Sequence, residues 1–261
     1  MRAKTEEFLY CLLWAAETLS RPTWRNLTES FEGWAYRSGL RQQLLRLEKQ
    51  QWIERQAVSD RNRVLRLTEI GRLQALGGRD PEARWRRRWD GRWRLIAFDV
   101  PEARRTVRNK LRRYLRERGF GFLQNSVWIT PDPVTELRAV LAKGPANVEE
   151  MILFEARAGG GESDDQIVAG AWDFRKINER YVQHRKVLVQ RPRGTMKGEA
   201  AAGAFRRWLR AEREAWSEAV MHDPLLPRSL LPDGYAGRQA SQERLTVMRE
   251  AGAQIRSFKL E

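Results

Sequence analysis

Apolar runs alternate with polar ones most clearly in the middle of the chain. A run over Trp93–Phe98 predicts a strand, and Pro101 ends it because proline restricts the residue before it and lacks a backbone N–H. Apolar residues then recur at helical spacing and predict a helix over Ala103–Arg118. Two further apolar runs predict strands over Phe120–Leu123 and Ser126–Thr130. This order is typical of the first half of a ferredoxin-like α/β sandwich.

The pattern that follows completes this sandwich. A second helix is predicted over Val134–Leu141 and a fourth strand over Val148–Ala156. The loop after them, Ala158–Ser163, is rich in glycine but has no following lysine, so it does not predict a phosphate-binding loop. We therefore expect a ferredoxin-like dimerisation domain over residues 91–163.

The amino-terminal pattern predicts a winged helix-turn-helix domain over residues 1–78. Three amphipathic helices, a hairpin of two strands and a closing helix follow one another in the sequence. Thr68 stands where the N-cap of the closing helix is expected. The predicted elements are helices Thr5–Leu19, Thr23–Phe31 and one from Ser38, strands Trp52–Gln56 and Arg63–Leu67, and helix Glu69–Leu76.

The third helix and the hairpin tip carry side chains suited to duplex DNA. Leu40, Leu44, Leu45 and Leu47 predict the face that packs inward. Arginine and glutamine on the opposite face have the reach to contact guanine and adenine in the major groove, and a basic wing can contact the backbone or minor groove. A protein-interaction winged helix with an ordinary solvated face is the alternative. The expected DNA-binding residues are Arg37, Ser38, Arg41, Gln42, Gln43, Arg46, Arg61, Asn62 and Arg63.

A linker rich in arginine and tryptophan is predicted over residues 79–90, after Gly77 and Gly78. Its arginines could follow DNA phosphates while the tryptophans anchor it, or they could pair with carboxylates in a structural role. The basic helix Ala103–Arg118 has three comparable explanations: contact with flanking DNA, contact with the phosphates of an acidic effector, or a solvated surface that pairs with Glu102 and Glu117.

A C-terminal helical domain is predicted over residues 164–261. The pattern indicates one helix from Asp164 to about Val189, a second over Glu199–Val220, two proline turns, and a last helix from Arg238 to about Ala253. The complete prediction is an α+β protein with these three domains and the linker.

The amino-acid composition limits the classes of binding partner and of functional site. The net charge of +15 favours a polyanion, with nucleic acid before a membrane surface. The single cysteine excludes an internal disulfide, and no Cys/His spacing is typical of zinc. The two histidines lie far apart in the sequence, which disfavours histidine-based catalysis. No signal peptide or long apolar span is found, so we expect a cytoplasmic protein that does not associate with a membrane. We also expect no cofactor.

Four motifs in a fixed order give a specific resemblance. RWRL followed by apolar residues and FDVPE, then the basic helix, GFGFL and SVWITP resemble the central domain of the PaaX family, bacterial repressors named for phenylacetic-acid catabolism. The AWD and DPLLPRSLLP segments resemble the family's C-terminal domain. The amino-terminal part is the least similar. The resemblance implies a homodimer that binds double-stranded DNA and is released by an aryl-coenzyme A thioester.

The resemblance also suggests an effector pocket formed by the C-terminal and central domains. The sequence does not assign individual residues to this pocket. Each aromatic or polar residue that could line it is also typical of a protein core. The candidates are Trp172, Tyr181, His184, Trp208 and Trp216.

The central domain of this family in turn resembles a small CRISPR-adaptation nuclease whose first strand ends in an aspartate. Here Asp99 occupies that position. A metal-dependent nuclease would need more oxygen ligands than one carboxylate per subunit, and the simpler role for Asp99 is to close the strand and cap the next helix. We therefore expect a regulator that is not an enzyme, with an Asp99 nuclease and a non-specific nucleic-acid adaptor as alternatives.

Overall fold

The computed structural model describes residues 9–10, 12–13, 40–59, 62–124, 126–135, 137 and 151–256. These residues form two compact units. Unit 1 comprises residues 1–80, 180–218 and 236–261, and unit 2 comprises residues 81–179 and 219–235. Residues of the predicted C-terminal domain, 164–261, therefore belong partly to unit 1 and partly to unit 2. The domain ranges given above stay predictions.

Unit 1 begins, in its described part, with helix α1 (Leu40–Lys49). Strands β1 (Ile53–Ser59) and β2 (Asn62–Leu67) then form an antiparallel hairpin in which Ile53 pairs with Leu67. Helix α2 (Glu69–Ala75) follows, and the Thr68 side chain caps it by accepting a hydrogen bond from the Gly71 N–H, as predicted. The first two predicted helices fall largely outside the described residues, so the winged helix-turn-helix remains a prediction.

Glycine at position 71 has a steric cause. A Cβ atom there would lie 1.8 Å from the backbone oxygen of Trp52, which precedes β1. Such a separation is far below van der Waals contact, so only glycine lets α2 approach the chain this closely.

The core of unit 1 joins the α1–α2 region to helices from the end of the chain. Leu44, Leu47 and Ile53 are buried together with Phe205 and Met248. These last two belong to helices α7 (Gly198–Met221) and α8 (Gly237–Arg256), both close to their predicted bounds. The amino-terminal segment is therefore stabilised by burial against helices about 150 residues or more away in sequence.

Unit 2 begins with a short helix, α3 (Pro81–Arg86), in the predicted linker. Strand β3 (Trp93–Phe98) has its predicted bounds. A single 3₁₀ turn, Glu102–Arg104, leads into helix α4 (Arg105–Glu117). Strands β4 (Gly121–Gln124), β5 (Val127–Thr130) and β6 (Met151–Ala156) complete the described sheet.

The four strands are antiparallel, in the order β4-β5-β3-β6. Ile96 and Trp128 point from the sheet towards Leu111 and Leu115 of α4, and these four side chains are buried in one core. An antiparallel sheet with its first strand in the interior is consistent with the ferredoxin-like sandwich predicted from the sequence. The second predicted helix, over Val134–Leu141, lies almost wholly outside the described residues, so the complete sandwich stays a prediction.

The continuous helix predicted from Asp164 to Val189 is wrong. Helix α5 (Asp164–Ala171) ends before Trp172, which has an extended backbone, and helix α6 (Phe174–Val189) begins after Asp173. The Trp172 ring packs near Trp93, and its Nε1–H donates to the Gly119 carbonyl at 3.1 Å. These tertiary contacts hold Trp172 out of the helix, and helical periodicity carries no signal for a break of two residues.

Candidate functional site

Helix α1 presents a polar face of the expected kind. Leu44 and Leu47 are buried as predicted, but the inward position predicted for Leu45 is wrong, because its side chain is 50% exposed on the same side of the helix as the exposed Gln42, Arg46 and Lys49. Residues three or four apart share one side of a helix, so these three long donors form a single row. Gln43 is half-buried and has a partner of its own. The row could contact base edges and phosphates.

The remaining predicted DNA-binding residues are described less fully. Arg37, Ser38 and Arg61 lie outside the described residues, and only the backbone of Arg41, Asn62 and Arg63 is described. Asn62 and Arg63 begin β2, and the register of the hairpin shifts between Ala57 and Ser59. A hairpin with this shift immediately follows α1, which is the chain order that a wing requires.

The arginines of the predicted linker have structural partners. Arg84 and Arg87 both bind the Asp132 carboxylate, at 2.5 and 2.6 Å, and Arg87 also donates to the Leu225 carbonyl. Burial lowers the pKa of Arg87, while hydrogen bonding to Asp132 opposes that change. Trp85 is buried against Tyr235. The structural explanation for this segment is confirmed at Arg84 and Arg87.

A third guanidinium group, that of Arg94, is paired at the start of strand β3. Arg94 is buried, donates to Asp90 at 2.5 Å and lies 3.4 Å from Glu155. The hydrogen bond from Arg94 is the main reason that the pKa of Asp90 falls to about 2. These charges are paired within the fold, so neither arginine cluster offers an open anion site.

Asp99 follows β3 directly and is exposed. It does close the strand, but its predicted capping role is wrong: the 3₁₀ turn and α4 have Pro101 and Arg104 at their caps, and neither has a side-chain cap. Within the described part of the chain, no three carboxylate, histidine or cysteine side chains lie together in a way that could hold a metal ion.

The pairing expected for the basic helix is confirmed in two places. Arg108 of α4 binds Glu102 at 2.6 Å, and Arg113 binds Glu117 at 2.8 Å. Two further arginines lie over aromatic rings, Arg116 near Trp128 and Arg118 over Tyr114. The helix remains strongly cationic because only two acidic residues flank it.

An aromatic cavity of about 530 Å³ opens in unit 2 at the break between α5 and α6. Ring side chains form much of its wall, and the exposed Gly170 also lines it, with no atom within 4 Å of the position of a Cβ. The exposed guanidinium of Arg175 stands at the rim and pairs loosely with Glu179 at 3.5 Å. The ring side chains of the wall are Phe122, Trp172, Phe174 and Pro232.

The chemistry of this cavity suits a flat apolar group attached to an anion. Aromatic walls bury such a group, and Arg175 at the rim would bind its negative end. The one carboxylate in the lining, Asp173, is paired with Lys176 at 3.2 Å. Trp172 was the only member of the predicted aromatic set that lines it. Phe122 and Phe174 were missed because they lie 52 residues apart in sequence, and each alone has the pattern of a core residue.

The other four members of that set lie in unit 1 and serve its core. The Trp208 indole donates to the Val187 carbonyl at 2.9 Å, and Trp216 packs beside Tyr181 and His184. A separate cavity of about 340 Å³ lies in unit 1 along α6 and α8. Arg185 in the wall of this cavity donates two hydrogen bonds to Glu243, so the carboxylate largely compensates the charge of the guanidinium group.

A buried polar cluster in unit 1 was not predicted. Glu212 of α7 accepts hydrogen bonds from Tyr10, from His184 of α6 at 3.1 Å and from Arg244 of α8 at 2.7 Å. Arg244 also donates to the Tyr10 hydroxyl, and all four side chains are buried. Helical periodicity cannot reveal such a cluster, because its members belong to four separate segments.

The cluster determines the charge states of its members. Burial alone would raise the pKa of Glu212, but the guanidinium of Arg244 and the hydrogen bonds from His184 and Tyr10 outweigh it and lower that pKa. Burial, reinforced by the Glu212 carboxylate, raises the pKa of Tyr10. The cluster therefore holds an ionised Glu212–Arg244 pair beside a neutral phenol.

Comparison with known proteins gives two family matches. Residues 86–168 match the model of the PaaX protein central Cas2-like domain, and residues 172–257 match that of the PaaX-like protein C-terminal domain. No curated protein matches the chain. Among solved structures, the uncharacterized protein Rv0674 from Mycobacterium tuberculosis is similar, with 19% identity, 83% of this chain and 82% of that chain covered, and a TM-score of 0.53. This likeness concerns the fold alone.

Proposed function

The chain belongs to the PaaX family, since the two matched models together cover more than half of it, and we propose that it is a sequence-specific DNA-binding regulator of aromatic catabolism that represses its targets. The observation that carries this proposal is the exposed row Gln42, Arg46 and Lys49 on α1, directly before a β-hairpin. This row would enter the major groove, and the hairpin tip would contact the backbone.

A homodimer follows from the need to read two half-sites. The sheet of unit 2 offers a face for it, because Ile152 and Phe154 of β6 are 55% and 51% exposed on the side opposite α4. Exposed apolar residues on a sheet favour burial against a second copy of the same surface. The dimer would fix the distance between the two DNA-binding rows.

A small aromatic acid or its thioester would act as the effector. Its ring would enter the aromatic cavity of unit 2, with Arg175 near its negative end. Binding would favour a dimer whose helices no longer match the operator spacing, which is a population shift and requires the effector to prefer that state. Among the described helices, none combines the length and apolar character needed to cross a bilayer.

The decisive experiment compares binding to the DNA upstream of the protein's own gene with binding to random duplex of equal length, at physiological salt with Mg²⁺ present. A footprint with affinity well above that for random DNA supports the regulator. Equal affinity for both sequences contradicts it in favour of a non-specific adaptor. Cleavage fragments that require metal and vanish in Asp99→Asn would contradict it in favour of a nuclease.

A further inference from the structure

Helix α4 of unit 2 is fixed with one face towards the sheet. Leu111 and Leu115 are fully buried on strands β3 and β5, and Val107 and Tyr114 are half-buried beside them. These four residues account for the apolar side of the helix. Its outward side is therefore polar over its whole length, and it cannot turn over without exposing the core of unit 2.

The outward side carries a row of cations. Arg105, Lys110, Arg113 and Arg116 are exposed, and the side chains of Arg105 and Arg113 are 73% and 81% exposed. With a rise of about 1.5 Å per residue, the row extends over roughly 16 Å. Each strand of duplex DNA carries one phosphate for about every 3.4 Å of the duplex axis and winds around that axis, so a straight row of this length can face several phosphates of one strand.

The acidic side chains near this row compensate little of its charge. Between residues 102 and 118 there are eight basic and two acidic side chains, an excess of six positive charges. Glu102 lies 4.0 Å from Arg105, and Glu117 lies 2.8 Å from Arg113, in pairs open to solvent. Such exposed pairs contribute little free energy, so a phosphate can replace either carboxylate at small cost.

We infer that the outward row of α4 is a second DNA-contacting surface, which binds the phosphates of duplex flanking the operator without reading its sequence. The inference rests on the proposed regulator and goes beyond its α1–hairpin interface. Dimerisation through Ile152 and Phe154 would leave the row open, because those side chains point to the opposite face of the sheet.

DNA fits this surface better than the other polyanions do. An amphipathic helix on a membrane inserts exposed apolar residues, whereas the apolar residues of α4 are already covered by the sheet. A small phosphorylated ligand requires convergent groups in a concave site. These cations instead diverge along an open helix and line neither cavity described above. A regularly charged polymer is the partner that matches such a row.

The test compares the wild type and three full-length variants on the upstream DNA and on random duplex over a range of salt concentrations. The triple variant Arg105→Gln, Lys110→Gln, Arg113→Gln should lower the slope of log affinity against log salt by about two to three on both DNAs. The control Lys186→Gln, Arg207→Gln, Arg210→Gln removes the same charge from exposed sites on α6 and α7 and should leave the slope unchanged. Arg105→Lys with Arg113→Lys should also keep the wild-type slope.

The outcomes separate this inference from the proposed function. The preference for upstream over random DNA should be the same in the triple variant as in the wild type, because phosphate contacts carry no sequence information. A triple variant with the wild-type slope on both DNAs overturns the inference even if that preference is strong. Loss of binding to vesicles of anionic lipid, with DNA binding intact, overturns it in favour of a membrane. If the wild type shows no preference, the proposed regulator fails, and the slope on random duplex still decides the role of α4.

Discussion

The Nε2 atom of His184 lies 3.1 Å from Oε1 of Glu212, and both side chains are completely buried. Glu212 also binds Arg244 and Tyr10, so one carboxylate joins helices α6, α7 and α8 to the helical segment near residue 10. A charge in this position stabilises the unit only while its partners remain, and two predictions follow from its surroundings.

Glu212→Gln should destabilise the protein by about 3–5 kcal/mol, because it leaves the buried guanidinium of Arg244 without a counter-charge. Urea unfolding of the full chain measures the effect. Glu214→Gln is the matched control: Glu214 is exposed on the same helix and pairs with Arg210 at 3.6 Å. Its replacement should cost under about 0.5 kcal/mol. Equal losses in the two variants would contradict a special role for Glu212.

Stability should depend on pH through Glu212. The pKa of an unfolded glutamate is about 4.3, whereas Glu212 in the fold has a pKa of about 2, because Arg244, His184 and Tyr10 outweigh the opposing effect of burial. A lowered pKa gives stabilisation that is complete above the unfolded value and is lost as the pH falls towards the folded value. The difference in unfolding free energy between the wild type and Glu212→Gln should be constant above about pH 5 and shrink below about pH 4. A difference that does not change with pH would contradict this assignment.

Gly121→Ala should destabilise unit 2 by about 1–3 kcal/mol through overpacking. A Cβ atom at position 121 would lie 2.7 Å from both the Ala171 Cβ and the Trp172 ring. Gly170→Ala on α5 should have the opposite effect. A Cβ atom at position 170 would meet no atom within 4 Å, and alanine favours a helix more than glycine does. The free energy of unfolding should therefore rise by up to about 1 kcal/mol. Thermal unfolding of both variants tests the pair, and the same sign of change in both would show that the close packing of Trp172 is misassigned.

Filling the aromatic cavity should separate effector response from DNA binding. Gly170 lines the cavity and has open space at its Cβ position, so the leucine of Gly170→Leu should occupy part of the cavity, and release of DNA by aromatic acids and their thioesters should require at least about tenfold more ligand. Affinity for the upstream DNA without ligand should not change. Ala253→Leu places the same side chain at an exposed position of α8 and serves as the control. An unchanged response in Gly170→Leu would exclude this cavity as the effector site.

Arg46→Ala should weaken binding to the upstream DNA by about 1–3 kcal/mol and reduce its preference over random duplex. The expected cause is the loss of a base-edge contact from the exposed row of α1. Arg193→Ala removes an equally exposed charge between α6 and α7 and should have little effect on either DNA. Quantitative footprinting measures both variants. A uniform loss on both DNAs for Arg46→Ala would reassign it to a phosphate contact.

The sequence alone determined the local elements. Strand β3, the cap at Thr68, the bounds of α2, α7 and α8, and the ion pair of Arg113 with Glu117 all follow from signals within one turn or one element. Apolar period, capping residues and charges a turn apart are local properties, so a sequence records them directly. The family resemblance was confirmed for the same reason, since its motifs are short and ordered.

Only the tertiary structure decided what lies between those elements. It broke the predicted helix at Trp172, placed Phe122 beside Phe174 in one cavity, and buried Glu212 with Tyr10 and Arg244. Each of these depends on contacts between segments that are distant in the chain. Their free energy comes from packing and desolvation, which depend on the neighbours in space and are not encoded in any single stretch of residues.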